Sequence, residues 1–189
     1  VVMCLDRGGI VGEDGVTHHG VFDMAAFGAV PGLTIAAPMD ELELRNMMYT
    51  GLQYGHPFMI RYPRGNGAGR LWRGVPFEAL PVGRGRRLRE GTDVALVTVG
   101  TVGNAADRAA ERAAEKGVSV AHYDLRFVKP LDEALLAEVG AKFRHVVTVE
   151  DGSLRGGVGE AVTAFFNARG CEVAVHSLGI GDEWVEHGT

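Results

Sequence analysis

Residues 94–123 read VALVTVGTVGNAADRAAERAAEKGVSVAHY. The first six form an almost unbroken apolar run, as a strand covered on both faces requires. Over 102–116, Val102, Ala105, Ala106, Ala109 and Ala113 recur at helical spacing. A stripe of such small residues suits a helix lying close on a sheet. A second apolar run occupies 118–123. Strand, helix and strand in this succession make a parallel βαβ unit, and the chain is read as α/β.

The same rhythm extends both ways. Further strands are predicted at 1–5 (VVMCL), 33–36 (LTIA), 58–61 (FMIR), 145–149 (HVVTV) and 173–177 (EVAVH). Helices are predicted at 41–54, 131–139 and 158–169. In the first, Leu44, Met47, Met48 and Leu52 share a face, with Asp40 as N-cap after Pro38. In the last, Val158, Ala161, Val162, Phe165 and Phe166 repeat the pattern with larger side chains. The rhythm breaks across 64–92, rich in Gly, Arg and Pro, which marks a boundary between two units. The basic GRGRRLR within it reads as a solvated linker, or alternatively as an anion patch.

Bulk composition narrows the function classes. With 46% hydrophobic and 23% charged residues the chain has the balance of a packed globular protein. No apolar run approaches the ~20 residues of a membrane span. A net charge of −5 argues against a nucleic-acid surface. The expectation is a cytoplasmic protein with no membrane or nucleic-acid partner. Cys4 and Cys171 have no metal or redox spacing and read as reduced, buried core thiols. The 28 glycines exceed the usual share and point to many tight turns and to backbone that approaches a ligand. Val1 falls inside a predicted strand, so the chain reads as a piece of something longer.

Titratable chemistry concentrates in 11–20, VGEDGVTHHG, between a strand and a helix-like segment. In parallel α/β sheets, ligands sit beyond the carboxyl ends of strands, which is where this loop falls. Asp14 and His18 lie four apart in a glycine-bounded loop that can turn both toward one ligand. A histidine near its ordinary pKa exchanges protons at neutral pH, and a nearby carboxylate biases its charge. Arg7 and Arg64 stand after two different strands, and paired arginines suit bidentate capture of a phosphate. Plainer readings stay open: an Asx turn for Asp14, a cap for Thr17, ion pairing for the arginines, and a zinc ligand for His18 or His19, without a complete ligand set. The glycine loop RGGVGEAV (155–162) could cradle an anion, although a structural role is the preferred reading.

These stretches carry a family resemblance. DRGGIVGEDGVTHHGVFDMA (6–25), APMDELELRNMMYTGL (37–52) and IRYPRGN (60–66) closely resemble the 1-deoxy-D-xylulose-5-phosphate synthases of the thiamine-diphosphate transketolase superfamily. VALVTVGT, YDLRFVKPLDEALL and VVTVEDGSLRGGVGEAV resemble the C-terminal domain of that family. The resemblance implies two parallel-sheet α/β units: 1–65 as the latter part of a pyrimidine-binding domain, 66–92 as a linker, and 93–189 as a transketolase C-terminal domain. It implies a homodimer that uses thiamine diphosphate and Mg²⁺ to condense pyruvate with D-glyceraldehyde 3-phosphate, losing carbon dioxide. The product, 1-deoxy-D-xylulose 5-phosphate, feeds isoprenoid, thiamine and pyridoxal precursor synthesis.

Carried over by position, Asp14 and His18 become the catalytic, substrate-facing pair. Arg7 and Arg64 become the holders of the acceptor's phosphate. His19 supports them from behind, and Asp6 and Asp23 orient loops. The family's Gly-Asp-Gly segment for Mg²⁺ and diphosphate is absent here, as is its activating glutamate. The resemblance therefore assigns cofactor anchoring to a missing N-terminal segment, with no cofactor- or metal-binding residue in this chain. EWVEHGT (183–189) resembles the family's end, with a final helix missing. Two alternatives remain: a fragment of a related transketolase-type enzyme such as a 2-oxoacid dehydrogenase β-subunit, or a non-catalytic assembly module.

Overall fold

The computed structural model describes residues 1–188; Thr189, the last residue of the EWVEHGT motif, lies outside the described residues. The first half forms β1 (Val2–Leu5), α1 (Asp23–Gly28), β2 (Thr34–Ala36), α2 (Glu41–Tyr54) and β3 (Phe58–Arg61). The second half forms β4 (Arg86–Arg89), β5 (Val94–Thr98), α3 (Val102–Ala114), β6 (Val120–Asp124), β7 (Phe127–Lys129), α4 (Glu133–Lys142), β8 (His145–Ser153), α5 (Val158–Ala168) and β9 (Ala174–Ile180). The fold is α/β with two sheets, ordered β1-β3-β2-β7 and β4-β6-β5-β8-β9. Each sheet is parallel except for one antiparallel edge strand, β7 in the first and β4 in the second. No helix among the described residues is long and apolar enough to cross a membrane.

Local signals account for the helix ends. The Asp40 side chain accepts the Glu43 N–H at 2.9 Å and caps α2, and Gly55 ends that helix at φ +76°. Asp132 caps α4 in the same way through the Leu135 N–H, at 3.0 Å.

The buried faces differ from the predicted stripes. On α2, Met47 is buried, but Met48 and Leu52 are exposed; Glu43, Asn46, Thr50 and Gly51 complete the inner face. On α3, Gly103, Ala106 and Ala110 face inward, whereas Ala105 and Ala109 are exposed. On α5, Val158, Val162 and Phe166 are buried and Ala161 is exposed. In each helix the buried rows follow i, i+3 or i+4 spacing, and the neighbouring sheet chooses which row turns inward. Cys4 is exposed on the edge strand β1, and Cys171 is only partly covered, so neither is the buried core thiol that was expected.

Two strands escaped the periodicity. Arg86–Arg89 (RRLR), inside the expected linker 66–92, is a strand that pairs antiparallel with β6. As an edge strand of long basic side chains it shows no apolar alternation. Arg86 is only partly exposed there: it bridges Asp124 and Glu43, both buried. The three-residue β7 leaves the second half and joins the first sheet beside β2. Phe127 of β7 packs with Met47, Phe58 and Ile60 of the first half, and its ring meets Phe58 edge to face at 6.3 Å. Burying one such ring stabilises by roughly 1.5–3 kcal/mol, so this short strand welds the halves together.

Candidate active site

Parallel pairing builds the site. β1 and β3 are neighbours with Leu5 opposite Arg61, so the chain leaves both at the same edge. Arg7 follows two residues after Leu5, and Arg64 three after Arg61. Backbone bonds hold the two exits together: Tyr62 N–H donates to Leu5 O at 3.0 Å, and Gly8 N–H to Tyr62 O at 2.9 Å. The loop closes where Gly20 N–H donates to Arg7 O at 2.9 Å. A Cβ on Gly20 would lie 2.4 Å from that same carbonyl, which is why glycine is needed there. Arg7 itself has φ +62°, a left-handed backbone that costs a non-glycine residue on the order of 1 kcal/mol or more.

The loop then folds back on these exits. A 3-10 turn over Gly12–Asp14 swings Asp14 between the two arginines. Arg7 Nε donates to Asp14 Oδ2 at 2.8 Å, and Arg64 Nη1 bonds the other oxygen, Asp14 Oδ1. Arg7 also pairs with Asp6. The bonds from Arg7 and Arg64 hold the Asp14 carboxyl below its usual range, and Asp14 in turn raises Arg7. The predicted arginine pair therefore converges on one point, and in this state a carboxylate of the chain itself occupies that point.

The histidines take separate places. His18 is exposed, and its Nδ1 lies 2.9 Å from Thr17 Oγ1; among the described residues no hydrogen bond joins it to Asp14. The expected Asp14–His18 pair shares a loop without direct contact. His19 Nδ1 accepts the Val11 N–H at 3.0 Å, so its proton resides on Nε2, which is buried without a partner. Thr17 caps no helix: α1 begins after Phe22, with no side-chain cap. A cleft of about 540 Å³ opens under the 62–68 loop toward Arg108, but Arg7, Asp14, His18 and Arg64 do not line it.

Sequence reasoning passed over Arg61. Its side chain is 2% exposed, and Nε donates to both Asp23 oxygens at 3.0 and 2.9 Å. Nη1 bonds Asp151 Oδ1 at 2.5 Å, and Nη2 bonds Gly20 O at 2.8 Å. Arg61 thus anchors the far end of the site loop and ties it to β8. The available signal was an arginine ending the apolar strand FMIR, where a buried charge demands carboxylate partners. The glycine loop 155–162 holds no external anion position. The buried Glu150 carboxylate already accepts Val158 N–H at 3.0 Å and Gly159 N–H at 2.8 Å. Burial pushes this carboxyl up, and the two amides oppose that shift.

Among the described residues no three of His, Cys, Asp and Glu gather to hold a metal ion. The amides of the glycine loop that opens α5 are taken by Glu150.

Comparison with known proteins accords with this architecture. Residues 1–69 match the family model of the transketolase pyrimidine binding domain, and 83–189 match that of the transketolase C-terminal domain. The chain is 56% identical over 191 residues to a 1-deoxy-D-xylulose-5-phosphate synthase of Bacteroides fragilis, covering 100% of this chain and 29% of that protein. It is 45% identical to the protein of that name from Carboxydothermus hydrogenoformans, again over all of this chain and 30% of the relative. The chain thus spans less than a third of the length of these relatives. A solved structure described as a split gene transketolase, inactive beta4 tetramer, superposes with a TM-score of 0.81 at 26% identity, covering 96% of this chain and 57% of that one. With both family models matching in chain order over two interlocked α/β sheets, the chain belongs to the transketolase family.

Proposed function

We propose that this chain is the C-terminal portion of a 1-deoxy-D-xylulose-5-phosphate synthase. That enzyme joins pyruvate to D-glyceraldehyde 3-phosphate with loss of carbon dioxide. The observation that carries the reading is the convergence of Arg7 and Arg64 on one anionic point at the carboxyl edge of β1 and β3. Two guanidiniums so placed suit the acceptor's phosphate, which would take up the donors now given to Asp14. Asp14 keeps the pair poised while the phosphate is away. His18, exposed on the same loop, is the candidate group for proton transfer. The identity of over half to one synthase and 45% to another supports this choice within the family.

Thiamine diphosphate and Mg²⁺ enter this reading as cofactors held mainly by residues outside this chain. We assign no step through them to these residues. The proposal includes the cytoplasm as the location, a homodimer as the assembled form, and isoprenoid, thiamine and pyridoxal precursors as the destination. The domain division at 1–65, 66–92 and 93–189 is part of it, with β4 lying inside the connecting stretch.

The deciding experiment replaces Arg64 with Ala in the assembled enzyme, with thiamine diphosphate and Mg²⁺ supplied. Use of glyceraldehyde 3-phosphate should fall about 10- to 100-fold, with the pyruvate KM nearly constant. Unchanged acceptor kinetics would remove Arg64 from the site. A second reading, a non-catalytic assembly subunit, is favoured by the likeness to the inactive split-gene tetramer. It predicts no turnover with any partner segment.

A further inference from the structure

After β9 ends at Ile180, residues 181–188 return to the loop that carries Asp14 and His18. Three contacts pin them antiparallel along it. Gly188 N–H donates to Gly12 O at 3.4 Å. The His187 imidazole covers Gly15: its Cδ2 lies 3.4 Å from the position a Cβ there would take. Trp184 meets Phe22 edge to face, with 5.3 Å between ring centroids and 81° between planes. Between the tail and the loop lies an open hollow of about 690 Å³, walled by Val16, Thr17, His19, Phe22, Trp184 and Glu186.

These contacts do not serve the core. Trp184 is 68% exposed and Phe22 40% exposed, so the pair gains little from burial. What it does is fix a loop whose only regular piece is one 3-10 turn, and which contains Gly12 and Gly15 at φ +52° and +75°. A loop so rich in unrestricted backbone holds one conformation only where outside contacts impose it. The tail supplies such contacts at Gly12, Gly15 and Phe22, on either side of Asp14 and His18.

We propose that residues 183–188 are a positioning element of the candidate site. Trp184 and His187 hold the 12–22 loop in the conformation that presents Asp14 to Arg7 and Arg64. This rests on the reading of those residues as substrate-contacting. The contacts of Trp184 and His187 fall on the loop, at Phe22 and Gly15, so they act through it. Displacing a binding group by ~1 Å can cost up to two orders of magnitude in rate, which makes such support consequential.

The test is NMR on the 189-residue chain, with inorganic phosphate as the probe. Trp184→Ala should shift the Gly12, Gly15 and Gly20 amides and the His18 ring signals. Because Asp14 competes with an anion for Arg7 and Arg64, the variant should also tighten phosphate binding about 3-fold or more. Trp184→Phe, which keeps an edge-to-face ring, should restore both. His187→Ala should produce the loop shifts from the other end. Methyl signals of Leu136 and Val162, in the distant core, should stay put and show that each variant is folded. Loop signals that do not move in Trp184→Ala and His187→Ala overturn the proposal. Arg64→Ala separates the two ideas: full phosphate binding in that variant removes the site reading, while the loop signals still judge the tail.

Discussion

Arg61 Nη1 lies 2.5 Å from Asp151 Oδ1, a bond from the end of a strand in the first sheet to a strand of the second. With Asp23 on its Nε, Arg61 serves two carboxylates at once. Burial raises the Asp23 carboxyl, and Arg61 opposes that shift. Removing the cation leaves both carboxylates uncompensated. Arg61→Met should cost on the order of 3–5 kcal/mol, measured by urea unfolding. A cost below about 1 kcal/mol would make the cluster a solvated pair without structural weight.

Asp14 competes with any anion for Arg7 and Arg64. Asp14→Asn keeps the side chain's size and removes its charge, so inorganic phosphate should bind about 3- to 10-fold tighter by titration calorimetry. The sign with pH follows from the depressed carboxyl pKa of Asp14. The tie is complete above the ordinary value of ~3.9 and is lost as pH falls through the lower folded value. Lowering the pH from 7 to 5 should leave the arginine signals unchanged in the wild type.

His122 is fully buried between Thr98 Oγ1, 2.9 Å from Nε2, and Asp107 Oδ1, 3.2 Å from Nδ1. Burial lowers its pKa, with Arg89 and Arg86 adding to that effect and Asp107 opposing it. The neutral ring donates from Nδ1 to Asp107 and accepts from Thr98 at Nε2. Below the ordinary histidine value of ~6.5 the unfolded chain binds a proton that the folded chain resists, so stability falls as pH drops below it. The urea midpoint of the wild type should decline from pH 7 to 5.5 more steeply than that of His122→Gln. Equal slopes would mean that His122 takes up its proton in the folded state as readily as in the unfolded one.

Glu150 caps α5 with a carboxylate from the neighbouring strand. Glu150→Ala should lose about 1–2 kcal/mol by thermal or urea unfolding, since two buried amides are left unpaired. Glu150→Gln should avoid most of that loss because its amide oxygen still accepts. In Glu150→Ala alone, the Val158 and Gly159 amide signals should respond to added phosphate. A phosphate response at those amides in the wild type would contradict the occupied cap.

The sequence by itself determined the α/β class, the seven apolar strands, the Asp40 cap of α2, and the residue types able to meet a phosphate. Each is a local property: period, capping chemistry or a motif within a few residues. Only the tertiary structure decided the rest. RRLR at 86–89 has no apolar period, yet becomes a strand because β6 offers an open edge and Asp124 and Glu43 offer charge. The inward row of α3 is Gly103, Ala106 and Ala110, a choice the sheet makes among several small-residue rows. Arg7, Asp14 and Arg64 meet because β1 and β3 pair in parallel with Leu5 opposite Arg61. Arg61 finds Asp151, 90 residues away, and Trp184 finds Phe22 from the far end of the chain. Such pairings depend on strand register and sheet order, which are set by packing of the whole chain and leave no period in any short window of sequence.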